Sequence, residues 1–268
     1  MLQRVLTAAV LLGLFLSAIL FLSKGFGIAL LALLALGGAW EWSAFLRLAT
    51  RPLWRWGYVA LVGVLMALSG GLVAERGMVV LVAGCALLWW LAAFVLVVRF
   101  PVPIRRGVAA LCGVLVLLPA WVCLLALLLT SSHGRGLLLL AFAIVWAADI
   151  GAYFVGRRCG RVKLAPRVSP GKTWEGVMGG LACATAVAAT GAVLLGHRPG
   201  PAALLGLTVA AISIVGDLTV SVFKRSAGVK DSGRLFPGHG GILDRIDSVT
   251  AAAPLFVLEA GWIGWLAP

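Results

Sequence analysis

Blocks of Leu, Ala and Val, interrupted by Arg, Lys, Pro and Gly, run the length of this 268-residue chain. A block of about 20 apolar residues can cross a hydrocarbon core of roughly 30 Å as a helix. The interruptions delimit nine such blocks, at 5–23, 26–46, 57–74, 77–98, 107–129, 137–156, 174–195, 202–223 and 248–266. The pattern predicts an all-α fold, a polytopic membrane helical bundle of about nine transmembrane helices. The apolar/polar alternation of a transmembrane barrel strand is absent. The first block follows Arg4 as a signal-peptide core would. It is long for that role, lacks an A-x-A cleavage site and runs at once into another span, so it reads as a retained helix. Without an internal repeat or an appended soluble domain, the chain reads as a single membrane domain over 1–268. Its N-terminal hydrophobic helices occupy 1–136, and the helices joined by its longest polar loops occupy 137–268.

Composition agrees with this reading. Hydrophobic residues make up 62% of the chain and charged residues only 12%, whereas soluble domains carry roughly a quarter charged. The charge distribution then sets an orientation. With the N-terminus in the cytoplasm, 18 of the 22 Lys and Arg residues fall on the cytoplasmic side, and only Lys24, Arg76, Arg135 and Arg198 on the other. That is a strong positive-inside bias. The net charge of +13 is thus mainly a property of the cytoplasmic face. Anionic headgroups and insertion topology account for it without a nucleic-acid partner. The two longest polar stretches, 157–173 and 224–247, lie on that face. Of the five cysteines, four fall in apolar runs and no pair has CxxC spacing, so they read as buried small hydrophobes. His133 and His197 read as ordinary loop residues. Gly176 and Gly180 form a GxxxG pair suited to close helix packing.

Acidic residues inside the spans are few, and an ionisable group at that depth costs several kcal/mol unless paired or wet. Asp149 in "VWAADIGAYFVGRRCGR" and Asp217 in "IVGDLTVSVFKR" both fall in cytoplasmic halves of their spans. Asp217, Ser221 and Lys224 are spaced to share one helical face, as are Asp149 and Tyr153. An ion pair that orients helices and a functional site both explain such residues. Glu41 and Glu259 favour structural pairing or snorkelling.

The stretch "SVFKRSAGVKDSGRLFPGHGGILDRIDS" holds eight of the chain's 31 Asp, Glu, Lys and Arg residues. Its glycines leave backbone amides unobstructed, as an anion-cradling loop requires. Lys224, Arg225, Lys230, Arg234 and Arg245 offer donors to phosphate oxygens. Asp244 and Asp247, three apart among these cations, make sense where a divalent metal joins carboxylates to phosphates. In "RVKLAPRVSPGKTWEGVMGG", Ser169, Gly171, Lys172 and Thr173 precede a glycine-rich span. They suit either a phosphate site at a helix N-terminus or a simple capping loop, and the spacing is not that of a Walker A loop.

These residues carry a resemblance. The run S-x-F-K-R-x4-K-D-x-G-x2-F-P-x-H-G-G-I-L-D-R-I-D resembles the hallmark of the phosphatidate cytidylyltransferases, or CDP-diacylglycerol synthases. "AADIGAYFVGR" and "KLAPRVSPGKTWEGVMGG" resemble two further blocks of that family, and the similarity covers about 149–248. The resemblance implies that CTP and phosphatidic acid condense to CDP-diacylglycerol and pyrophosphate with Mg²⁺, as one or two divalent ions or with a monovalent cation beside it. It also implies an all-helical membrane fold and a homodimer, and the charge bias turns the site to the cytoplasm, as expected of a bacterial inner-membrane protein. By the same resemblance Asp217 and Asp244 are metal ligands. Asp149, Lys172, Lys224 and Arg225 join them as catalytic residues. Ser169, Thr173, Lys230, Asp231, His239, Gly240, Gly241, Arg245 and Asp247 line or support the substrate site. His239 suits a phosphate donor or loop-shaping role better than a proton shuttle. Two positions depart from the family: Val220 stands where an acidic residue is common, and Ile150 where Thr or Ser is common. A carboxylate near the metal site is therefore missing. A transporter or channel for an anionic or lipid substrate, or a relative acting on another lipid phosphate, are the alternative functions.

Overall fold

The computed structural model describes residues 13, 15–46, 48, 51–129, 133–233 and 240–266. A helical stretch over 15–21 (α1) is followed by α2 (Lys24–Phe45), α3 (Pro52–Ser69), a 3₁₀ turn (Gly70–Ala74), α4 (Arg76–Arg99) and α5 (Arg106–Leu129). Then come α6 (Gly134–Cys159), the strands β1 (Lys163–Ala165) and β2 (Ser169–Thr173), α7 (Trp174–Leu194), α8 (Pro199–Ser226) and α9 (Leu243–Trp262). Among the described residues the fold is all-α apart from the antiparallel β1–β2 hairpin, in which Lys163 pairs with Thr173 and Ala165 with Ser169. Away from their ends, helices satisfy their backbone groups within the segment, which is what an apolar surrounding demands.

Among the described residues seven helices, α2 to α8 with α3 extended through Ala74, are long and apolar enough to cross a membrane. Much of the first predicted block lies outside the described residues. The last block corresponds to α9, which begins at Leu243 and carries Asp244, Arg245 and Asp247 in its opening turns and Glu259 near its end. Any 18 consecutive residues of α9 include at least three of those charges, whereas each of the other seven has a stretch of that length with two or fewer.

Helix α9 is the hub of the bundle, touching α2, α4, α5, α6 and α8. Its Ala251, Ala252 and Ala253 are fully buried, and small side chains there let neighbouring backbones come close. Gly216 of α8 lies against the Asp247 carbonyl and Ala251, leaving no room for a Cβ. The most extensive packing joins α6 to α7. There a Cβ on Gly180 would lie 2.6 Å from the Ala148 carbonyl oxygen, and one on Gly176 2.9 Å from that of Ala152. The GxxxG pair thus works as a close-packing device. On the other flank, the buried Trp42 indole donates to the Ala109 carbonyl (2.9 Å) and Tyr58 to that of Ala110 (3.1 Å), tying α2 and α3 to α5.

Candidate active site

The C-terminal ends of α2, α6 and α8, the N-terminal ends of α7 and α9, and the hairpin between α6 and α7 meet at one end of the bundle. Local chemistry explains the meeting. Thr173 caps α7 by accepting from the Gly176 amide at 3.2 Å, which favours the capping reading of that segment. Both oxygens of Glu175 accept from the Val162 amide (3.1 and 3.3 Å), and the Trp174 amide donates to the Val162 carbonyl (2.9 Å), so the hairpin is held to the helix start. Arg225 at the end of α8 donates from Nε to the Val168 carbonyl at 3.2 Å. Val168 in turn packs with Val97, Leu218 and Val222. The hairpin is thereby fixed to both α7 and α8.

This framework presents Lys172, on β2, to Asp217, on α8, with Nζ and Oδ2 2.7 Å apart. Ser221, one turn on, donates to the other Asp217 oxygen at 3.3 Å, as the shared helical face predicts. A second pair lies beside the first: Lys224 Nζ meets Asp244 Oδ1, also at 2.7 Å. The Lys224 and Asp244 side chains are 12% and 15% exposed, against 26% and 27% for Lys172 and Asp217. The Lys224–Asp244 pair is therefore the enclosed one, and the Lys172–Asp217 pair the open one. Asp244 Oδ2 also accepts from the amides of Ser232 (3.1 Å) and Gly241 (3.0 Å). Gly240, at φ +78°, makes the turn that brings the second of these amides round.

Electrostatically these pairs are one cluster. Lys224 interacts with Asp244, Asp247 and Asp217. The buried Asp247 interacts with Asp217, Lys224 and Lys172. Asp149, on α6, interacts with Asp217, Lys172 and Arg245. The structure thus brings together Asp149, Lys172, Asp217, Lys224, Asp244, Arg245 and Asp247 from four separate segments.

Other predicted residues stand differently. Arg225 spends its Nε on the hairpin. Thr173 serves as a cap, and Ser169 opens β2. Lys230 and Asp231 are exposed on the loop after α8. Arg234 and His239 lie outside the described residues. Tyr153 turns its hydroxyl to accept from Arg157 at 2.8 Å rather than joining Asp149. Val220 is fully buried in the apolar core.

Sequence reasoning missed the parts played by Ser232, Glu175 and Val168, and gave Glu41 no named partner. Glu175 had a weak signal as an acidic residue in a helix's first turn. The Val168 and Ser232 contacts run through the backbone and carry no residue-type signature.

Among the described residues no group of three His, Cys, Asp or Glu side chains forms a metal cage. The donors present match a different arrangement, in which one or two carboxylates hold a hard cation and substrate phosphates complete its shell. Asp217 and Asp244 are the carboxylates that fit, since each already holds a cationic group at 2.7 Å.

A sequence model described as the Cytidylyltransferase family matches residues 2–260. A phosphatidate cytidylyltransferase of Pseudomonas aeruginosa is 45% identical over 280 residues, covering 99% of both chains. One from Haemophilus influenzae is 43% identical, covering 95% of this chain and 96% of its own. One from Synechocystis is 52% identical over 119 residues, 44% of this chain. With apolar helices, a cation-and-carboxylate cluster at their ends and a family match over residues 2–260, the chain belongs to the cytidylyltransferase family of membrane-embedded nucleotidyltransferases.

Proposed function

We propose that this enzyme condenses CTP with phosphatidic acid, giving CDP-diacylglycerol and pyrophosphate. The observation that carries this reading is the pair of lysine–aspartate contacts at one end of the bundle, in a chain whose relatives are named for that reaction. A phosphate oxygen of phosphatidic acid attacks the α-phosphorus of CTP. The bond between the α-phosphorus and the bridging oxygen breaks, and pyrophosphate leaves with the electron pair. The attacking oxygen is anionic near neutral pH, so no strong base is needed. The obstacle is the approach of two anions, and positioning with charge neutralisation overcomes it.

Mg²⁺, as one or two divalent ions or with a monovalent cation beside it, belongs to this reading. Asp217 and Asp244 would hold it, and it would supply positive charge for phosphate oxygens. Lys172 and Lys224, beside those carboxylates, would offer their ammonium groups to the remaining phosphate charge. Arg225 keeps Lys172 in reach by fixing the hairpin, while Asp149, Asp247 and Arg245 balance the field around Asp217. The orientation with the site at the cytoplasmic face of a bacterial inner membrane rests on the bias of 18 in 22 basic residues. The homodimer rests on the family resemblance alone.

Family membership sets aside the transporter and channel readings. The test incubates purified protein with labelled CTP, Mg²⁺ and either phosphatidic acid or a polyprenyl phosphate. Product is expected with phosphatidic acid only. Asp244→Asn is expected to lower that activity by about 100-fold or more while the protein still inserts. Full activity in this variant removes Asp244 from the site, and product from polyprenyl phosphate alone reassigns the acceptor.

A further inference from the structure

Glu41 lies near the C-terminal end of α2, 5% exposed, and belongs to none of the motifs that mark the site. Its carboxylate reaches across the bundle to the loop that ends in α9. One oxygen accepts from the Ile242 amide (2.9 Å), and the other from the Leu243 amide (2.8 Å) and the Ser232 hydroxyl (2.8 Å). Ile242 and Leu243 supply the first free amides of α9, and Ile242 has no side-chain oxygen with which to cap them. The cap therefore comes from a carboxylate about 200 positions earlier in the chain.

The surroundings are shaped to this carboxylate. A Cβ on Gly233 or on Gly241 would collide with Glu41, so each flank of the loop is glycine where it passes the carboxylate. One turn back on α2, Gly37 leaves room for the Ile242 side chain, and Gly38 lies beside Leu117 and Ile246. Glu41 and Asp244 divide one set of donors between them. Asp244 takes the amides of Ser232 and Gly241. Glu41 takes the hydroxyl of Ser232 and the next two amides along.

We infer that Glu41 is a positioning residue for the nucleotidyl transfer, holding Ser232 and the start of α9 at Ile242 and Leu243 so that Asp244 faces Lys224. The part of this inference that concerns catalysis rests on the proposed function. The clamp itself does not.

The experiment compares wild type, Glu41→Ala, Glu41→Gln and the control Glu259→Gln in detergent, by amide hydrogen exchange and by turnover of CTP with phosphatidic acid. In Glu41→Ala, exchange at 240–244 is expected to rise about tenfold or more, with α6 and α7 unchanged. Turnover is expected to fall by about tenfold or more, with the Mg²⁺ concentration for half-maximal rate raised and KM for phosphatidic acid little changed. Glu41→Gln, which keeps one accepting oxygen, is expected to lie between, and it carries the test if the alanine variant does not fold. Glu259→Gln, which loses a carboxylate accepting from Thr208 at 2.8 Å far from this loop, is expected to match wild type in both measurements. Unchanged exchange at 240–244 in the Glu41 variants overturns the clamp. Faster exchange with undiminished turnover overturns its role in positioning. A wild type inactive on CTP and phosphatidic acid overturns the proposed function, while the exchange data still decide the clamp.

Discussion

Lys224 and Asp244 illustrate what a single contact does at this depth. Their side chains are mostly enclosed, so removing one partner leaves the other charge buried and uncompensated, at a cost of about 3–5 kcal/mol. Lys224→Met should accordingly destabilise the protein by about 3 kcal/mol, read as a loss of unfolding free energy in mixed micelles. Adding Asp244→Asn to it should return much of that stability but none of the activity. A double variant as unstable as Lys224→Met would show that the pair is not the source of the loss. Lys172 and Asp217 are more open, so the same pair of changes there should disturb stability less and activity as much. The spacing of Asp217, Ser221 and Lys224 could be read from the sequence because a helix fixes which residues share a face. The partners Lys172 and Asp244 could not, because they come from other segments.

The elements hold the site through close backbone approach more than through side-chain bulk. On α7, a Cβ at Gly180 would lie 2.6 Å from the Ala148 carbonyl oxygen, whereas a Cβ at Gly84 on α4 meets nothing within 4 Å. Gly180→Val should therefore push α7 off α6 and cost about 1–3 kcal/mol. Because α7 carries the hairpin and Lys172 with it, activity should fall as well. Gly84→Ala should leave activity unchanged and raise stability by up to about 1 kcal/mol through helix propensity. Thermal unfolding and CTP turnover on both variants check this, and equal losses would refute it. Helices this long and apolar were legible from the chain, as was the GxxxG packing of Gly176 and Gly180. The β1–β2 hairpin was not. Its strands have three and five residues, one is interrupted by Pro170, and the hairpin is held in place by Glu175 and Arg225 rather than by a period-two pattern.

Across the whole molecule the basic residues define two faces. In a variant whose only thiol is Cys159, exposed just after the arginines that end α6, a membrane-impermeant maleimide should label inverted vesicles and spare right-side-out ones. Arg198→Cys in a background without other cysteines should show the reverse, and identical labelling of the two would overturn the assigned orientation. The sequence by itself determined the material of the protein: apolar helices, a polar end, the family, and the residue types gathered there. Those properties follow from hydropathy and helical periodicity, which act over a few turns. Only the tertiary structure decided which lysine meets which aspartate, that Arg225 anchors the hairpin, and that Glu41 caps α9. Such pairings join residues as many as about 200 positions apart, and an uncompensated charge or amide in an apolar interior is costly enough to enforce them, although no local pattern announces them.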